Sequence, residues 1–188
     1  CAGEGVLGPT TTLLHATCLR GGDGEAMAAT RTRVCLCPTT ERDLADGIGP
    51  AAELARADVR LGLGTDSHAV VDMFEEARAV ETHERLRTLR RGTFDPAQLL
   101  VAATDASGLG WPDAGRIEVG ARADLVTVDL DSVRTAGSDP GQVLMSATAA
   151  DIDTVLVDGR TVVTGGRHRL GDVGALLADA VDAVRWPR

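Results

Sequence analysis

Tyrosine is absent from the 188-residue chain, and aromatic residues of any kind make up only 2% of it. Ala, Val, Leu and Gly must therefore carry the packing, which points to small aliphatic layers of the α/β kind. A basic excess is missing too, since the formal net charge is −9. An acidic balance argues against a nucleic-acid partner, because phosphate contacts need clustered Lys and Arg. The densest basic stretch, residues 85–91, closes an apparent helix, where cations complement the helix dipole. No apolar run approaches the length needed to span a membrane. The first ten residues are Gly-rich, lack a basic start with an apolar middle, and do not read as a signal peptide. Cysteines are few: Cys1, Cys18, Cys35 and Cys37. The Cys35-Leu36-Cys37 spacing is not the C-x-x-C pairing of a structural zinc site. Without a secretory signal, reduced thiols in the cytoplasm are expected, with all four acting as buried small hydrophobes.

What is present is ordinary for a soluble globular protein: 44% apolar and 25% charged residues. The length suffices for one domain with a core, or for a piece of a larger one. The chain opens without a start methionine. Short β-type runs are expected at residues 11–15, 34–37 and 59–64. Helical segments are expected at 23–30 and 51–57, with Pro50 at a first helical position. Residues 39–49 read as a polar loop with Asp46-Gly47 turn chemistry. This alternation implies βα units and a parallel sheet buried on both faces.

A long amphipathic helix is expected over 70–91, with Glu75 and Glu76 early, arginines late and Gly92 as its stop. Asp95-Pro96 opens another helix through residue 106. After Trp111-Pro112 the texture changes. Residues 116–130 and 154–163 read as strands of a small β-unit broken by Gly and Asp turns, and residues 172–186 as a closing helix.

Each of the first three runs ends in polar, reactive side chains: His15, then Pro38-Thr39-Thr40-Glu41, then Asp66-Ser67-His68. Polar residues gathered at strand C-termini mark the active-site face of a (β/α) barrel. A doubly wound sheet does the same at its switch point, so the pattern leaves both open. An Asp straight after a buried strand is costly unless it meets a cation or donors. Asp66 can ligate a divalent metal and exchange a proton with its water, or simply cap the helix that follows. Ser67 and Asp72 could each do that capping, which would free Asp66. His15 shares a sheet edge with Asp66, and an imidazole there can polarise a leaving group or stabilise charge. The hydroxyl-rich loop after residue 37 is either a plain turn or a substrate-facing segment. His68 is close enough in sequence to Asp66 to matter. His83, mid-helix among charges, reads as solvated, and His168, between two arginines, as a surface turn.

The segment from Gly115 through Val126 and the segment from Val155 through Val163 resemble the strand pairs by which amidohydrolases pass from their barrel to a flanking β-sandwich. Within that superfamily, Cys37-Pro38-Thr39-Thr40-Glu41 with Leu44 and Asp46-Gly47 is similar to the N-formimino-L-glutamate deiminases. So is Asp66-Ser67-His68 followed by Glu75-Glu76 and the Arg85-Leu86-Arg87 helix. His15, in a Leu-His-Ala-Thr context, is similar to the sixth-strand histidine of that family. Cys18 stands where relatives often carry a second His.

The resemblance implies an α/β fold: the C-terminal part of a (β/α)8 TIM barrel (strands 6–8), part of a small flanking β-sandwich, and a C-terminal helix. The units would be residues 1–112, 113–170 and 171–188. It implies one divalent metal, usually zinc. Asp66 would be the eighth-strand ligand and proton shuttle, and His15 would face the attacking water. Thr39, Thr40, Glu41 and Ser67 would lie on the substrate side. The implied reaction is hydrolysis of the formimino group of N-formimino-L-glutamate, with ammonia released. The implied partners are a small-molecule substrate and, in the full-length form, a second copy of the chain. Another deaminase of the guanine or aminotriazine type, or a non-catalytic remnant serving as an interaction module, remain alternatives. The family's first-strand His-x-His pair and fifth-strand His find no counterpart in the chain. A catalytic zinc takes three or more protein ligands, so this chain alone is expected to be inactive and to expose apolar strand edges.

Overall fold

Three short parallel strands, β1 (Thr12–Leu14), β2 (Arg33–Leu36) and β3 (Leu61–Leu63), lie side by side in that order in the computed structural model, which describes residues 5–67 and 70–185. Cys1, His68 and Trp186 lie outside the described residues. Helices intervene as the alternation predicts: α1 (Asp23–Thr30) between β1 and β2, then α2 (Pro38–Asp43) and α3 (Ala51–Arg56) before β3. The pairing is in register, with Leu13 beside Val34 and Val34 beside Leu61. Period-two alternation then puts Val34 and Leu36 on the helix-covered face, where both are buried. Around them pack Met27, Ala51, Ala52, Leu54, Val59, Ala77, Val80, Phe94 and Leu99. The interior is small and aliphatic, as the scarcity of aromatics requires.

Burial on both faces of the sheet is not what the structure shows. Leu14, Cys35 and Gly62 fall on the other face by register, and Leu14 is 59% exposed. Strands β1 and β3 are both sheet edges, so the expected apolar edge is present. A second difference concerns residues 39–49. Instead of an open loop, residues 38–43 form one helical turn, α2, with Thr39, Thr40 and Glu41 buried. Pro38 presets the backbone for a first turn, and the buried Glu76 accepts the Thr39 N–H at 3.0 Å.

Helix α4 (Met73–Thr88) is shorter than the expected 70–91. Asp72 caps it by accepting from the amides of Phe74 and Glu75, and its other oxygen accepts the Ala149 amide at 2.9 Å. Leu89 ends α4 in the left-handed conformation. Four carboxylates on this helix have different roles from simple dipole partners. Glu76, Glu81 and Glu84 are buried and accept backbone amides of residues 39, 92 and 94, and 52 respectively. Glu75 is the one left near the surface, pairing with Arg42 and Arg78. His83 is half-buried, not solvated, and burial pushes its imidazole below the usual range. Helix α5 (Pro96–Thr104) begins with the predicted Asp95 cap, closed into a reciprocal box by Gln98.

The remaining strands form a separate antiparallel sheet: β4 (Leu125–Val128), β5 (Ile152–Val157), β6 (Arg160–Thr164) and β7 (Arg167–His168). Of the strands expected within 116–130 and separated at Gly120, the later one forms as β4 and the stretch before Gly120 forms none. Ahead of β4, Gly115 and Gly120 turn the backbone at positive φ, and Arg122 is drawn onto the Trp111 ring and the Asp113 carboxylate. His168 lies in β7, and its Nδ1 accepts the Leu170 amide in the turn that follows. Helix α6 (Val173–Val184) closes the described chain with an Asp172 cap. Cys18 is exposed and Cys35 half-buried, so among the described cysteines only Cys37 is the buried hydrophobe expected of all four.

Within the antiparallel unit, Asp151 anchors the segment leading into β5. Its carboxylate accepts from Arg134 Nε at 2.9 Å and Nη2 at 2.8 Å, and from the Thr148 amide. The guanidinium first, then the Ser132 hydroxyl, hold it well below its ordinary 3.8. A carboxylate depressed in the folded state contributes stability that is complete above its unfolded value and is lost progressively as pH falls from there through the folded-state value. Asp151→Asn is therefore expected to lower the urea midpoint at pH 7, with the gap to the parent closing as pH drops below 3.8. A gap independent of pH would refute this role for the ion pair.

Candidate active site

His15 directly follows β1 and Asp66 follows β3 by three residues, so the parallel sheet delivers both to the C-terminal end of its strands. Their side chains meet: His15 Nε2 lies 3.6 Å from Asp66 Oδ2. The backbone is bent to achieve this. His15, Ala16 and Asp66 all have positive φ, at 64°, 52° and 40°. The other described non-glycine residues of this kind follow helices or sit in the β5–β6 hairpin. For an L-residue this conformation costs about 1–2 kcal/mol. Its clustering at two converging strand ends is the sort of retained strain that accompanies function. Asp72, not Asp66, caps α4, which leaves the Asp66 carboxylate, 41% exposed, facing the open side.

The third side chain at this end of the sheet is Glu41. It is 2% exposed, and Oε1 accepts the Cys37 amide at 2.8 Å while standing 3.5 Å from His15 Nδ1. Burial, opposed by the Cys37 amide and His15, pushes its carboxyl above the usual range. Gly49 packs against this pair. A Cβ there would meet Leu36 at 3.0 Å and the His15 carbonyl at 3.4 Å.

The other expected substrate-side residues are held inside the protein. Thr39 donates its hydroxyl and its amide to Glu76. Thr40 Oγ1 lies within 3.1 Å of the Thr65 carbonyl and 3.0 Å of Ser67 Oγ, and accepts the Ser67 amide at 3.1 Å. Thr40 thereby ties α2 to both neighbours of Asp66. Below them, the Cys35 and Cys37 thiols approach Gly64. Contact with Cys35, then burial, pushes the Cys37 thiol up, so it stays protonated and uncharged. Glu76 and Gly49 were not legible as site-shaping residues. Glu76 could have been suspected, because it falls on the same helical stripe as Ala77, Val80 and Glu84, all buried.

Among the described residues no three His, Cys, Asp or Glu side chains converge to hold a metal. The donors fit one corner of a zinc site and not the whole: three protein ligands and a water are usual, and Asp66 with His15 beside it falls short. Of the described side chains at this end of the sheet, Asp66 presents a partly exposed carboxylate that a divalent ion could take. No described helix is long and apolar enough to cross a membrane.

A family model described as the amidohydrolase family matches residues 1–162. The chain belongs to the amidohydrolase family. It is 36% identical over 180 residues to an 8-oxoguanine deaminase of Pseudomonas aeruginosa, covering 93% of this chain and 40% of that protein. It is 34% identical over 169 residues to a formimidoylglutamate deiminase of the same organism, covering 83% of this chain and 37% of that protein. In three dimensions it is similar to an adenosine deaminase from Xanthomonas campestris with bound zinc, at a TM-score of 0.87 and 31% identity, over 95% of this chain and 42% of that one. This amidohydrolase chain therefore has a barrel-type α/β fold, and it spans well under half the length of the curated relatives it matches.

Proposed function

We propose that β1, β2 and β3 are the sixth, seventh and eighth strands of a deaminase barrel. We propose further that the completed site hydrolyses N-formimino-L-glutamate to N-formyl-L-glutamate and ammonia. The observation that carries the hydrolytic reading is the approach of His15 Nε2 to Asp66 Oδ2 at 3.6 Å across two strand ends. The substrate rests on the Pro38-Thr39-Thr40-Glu41 turn, which is similar to that of formimino-glutamate deiminases, and on the 34% identity to one of them.

A zinc ion held by Asp66 and by ligands outside the described residues would polarise a water and lower its pKa. Asp66 takes a proton from the attacking water. The water oxygen bonds to the formimino carbon, and His15 faces the oxygen as charge develops. Asp66 then passes the proton to the terminal nitrogen. The remaining hydroxyl proton follows to the same nitrogen by way of Asp66, the C–N bond breaks, ammonia leaves and the carbonyl of the formyl group forms. Thr40 and Ser67 hold the Asp66 loop in place, while Glu41 lies behind His15. The free thiols and the net charge of −9 support a cytoplasmic enzyme with a small-molecule substrate, and the homodimeric full-length form rests on the family resemblance alone.

A second reading, a purine-type deaminase, is favoured by the 36% identity to 8-oxoguanine deaminase. Ammonia release separates the two. A polypeptide joining this chain to the remaining metal ligands is expected to prefer N-formimino-L-glutamate over 8-oxoguanine and adenosine by about 10³-fold or more in kcat/KM, as a site built for polar recognition does. Faster turnover of either purine would overturn the substrate assignment. The purified 188-residue chain alone is expected to carry no stoichiometric tight zinc, and metal analysis finding one zinc per chain would contradict the incomplete site.

A further inference from the structure

His15 Nδ1 is buried and has no hydrogen-bond partner, the only imidazole nitrogen of which this is true among the described residues. Buried polar atoms are rarely left so. The group facing it is Glu41 Oε1, 3.5 Å away. We infer that Glu41 is a positioning residue that fixes the tautomer of His15, holding its proton on Nδ1 and leaving the Nε2 lone pair turned to Asp66.

The argument starts from what each group can offer. A neutral imidazole carries one N–H and one acceptor nitrogen, and Glu41 Oε1, which already accepts the Cys37 amide, faces Nδ1 as an acceptor. Nδ1 facing Glu41 must therefore bear the hydrogen, and Nε2, 3.6 Å from Asp66 Oδ2, must be the acceptor. Two acceptors facing one another need a proton between them, from a water or from the reacting group. In the proposed reaction a water in this gap would donate one hydrogen to Nε2 while Asp66 takes the other.

Glu41 is built to hold this position. Its amide donates to the Cys37 carbonyl at 2.9 Å and its side chain accepts the Cys37 amide at 2.8 Å. These two bonds wrap residues 37–41 into one turn with the carboxylate aimed at β1. Thr39, fastened to Glu76, stops α2 from moving away. Gly49 leaves room for the approach, since a side chain there would push on Leu36 and on the His15 backbone. The inference rests on the proposed role of His15 for its catalytic meaning, but the tautomer is a property of the chain without substrate. Its failure can thus be told apart from failure of the deiminase reading.

The test is a two-bond 1H–15N spectrum of the 15N-labelled 188-residue chain, with the His15 signals identified by their loss in His15→Gln. At a pH where His15 is neutral, the Nδ1–H form is expected to dominate. In Glu41→Gln a neutral amide oxygen replaces the carboxylate oxygen that both accepts the Cys37 amide and faces Nδ1, so the Nδ1–H form loses its charge-assisted partner and the ratio is expected to shift toward Nε2–H by about fivefold or more. A purely structural Glu41 would leave that ratio unchanged in a folded variant, and this result overturns the inference. So does a dominant Nε2–H form in the parent chain, which decides the matter even if Glu41→Gln does not fold.

Discussion

In a polypeptide that completes the metal site, Asp66→Asn is expected to reduce kcat by about 10³-fold or more, and His15→Asn by about 10²–10⁴-fold. The two losses have different origins. Asn at 66 keeps the size of the side chain but can neither accept the proton of the attacking water nor return it to the leaving nitrogen, and it is a poorer metal ligand. Asn at 15 preserves a polar group at the strand end but lacks a nitrogen that can be protonated. Both side chains are partly exposed, at 41% and 29%, and neither belongs to the core, so the folded population should hardly change. His15→Asn and Asp66→Asn act on one proton path. The double variant is expected to lose much less than the product of the single losses. Strict multiplicativity in kcat, or a single Asp66→Asn effect below tenfold, would separate the two residues and remove the basis of the proposed reaction.

The parts of this site that could be read from residue order alone are those governed by local chemistry. Three apolar runs ending in His15, Pro38 and Asp66 announce parallel strands with reactive ends, and the sheet order confirms that the ends lie together. The caps at Asp72 and Asp95 follow from side-chain type and position. What stayed hidden depends on partners distant in sequence. The turn 38–43 looks polar because Thr39, Thr40 and Glu41 are polar, yet all three are buried. Their partners, Glu76, Ser67 and the Cys37 amide, are up to 37 residues away. Polarity predicts exposure only while no buried acceptor is in reach. The same error recurs on α4, where Glu76 reads as one of the early, dipole-favourable acids and is in fact an inward-facing acceptor, as are Glu81 and Glu84 further along the helix. The strand missing before β4 has another cause: alternation there is present, but glycine turns and the Arg122–Trp111 contact at 4.2 Å replace a ladder partner.

Glu81→Ala is expected to lower the unfolding free energy by about 3–5 kcal/mol, a large part of the 5–15 kcal/mol typical of a domain. Glu81 is buried in α4, and three donors converge on its carboxylate at 2.8 Å: the amides of Gly92 and Phe94, and Arg85 Nε. The two amides belong to the link that turns from α4 into α5 and delivers Phe94 to the core. Truncation leaves both without an acceptor, and the Phe94 amide is buried. The Arg85 contact matters less, because that guanidinium is 31% exposed and can turn to water. Arg85→Ala should therefore cost about 1 kcal/mol or less, and Glu81→Gln, which keeps one acceptor oxygen, should fall between the two. Acid separates the ionic share from the packing share. Burial raises the Glu81 carboxyl, but the Phe94 amide, the Arg85 guanidinium and the Gly92 amide outweigh it and hold it below its ordinary 4.5. Its ionic stabilisation is thus complete above that value and is lost as pH falls through it toward the folded-state value. The gap between the parent and Glu81→Ala in denaturant melts should narrow from pH 7 to below 4.5 without closing, because a protonated carboxyl still accepts amides. A difference under about 1 kcal/mol at pH 7, or a gap that widens on acidification, would mean that the turn into α5 is held by the packing of Phe94 and Leu99 and not by the carboxylate.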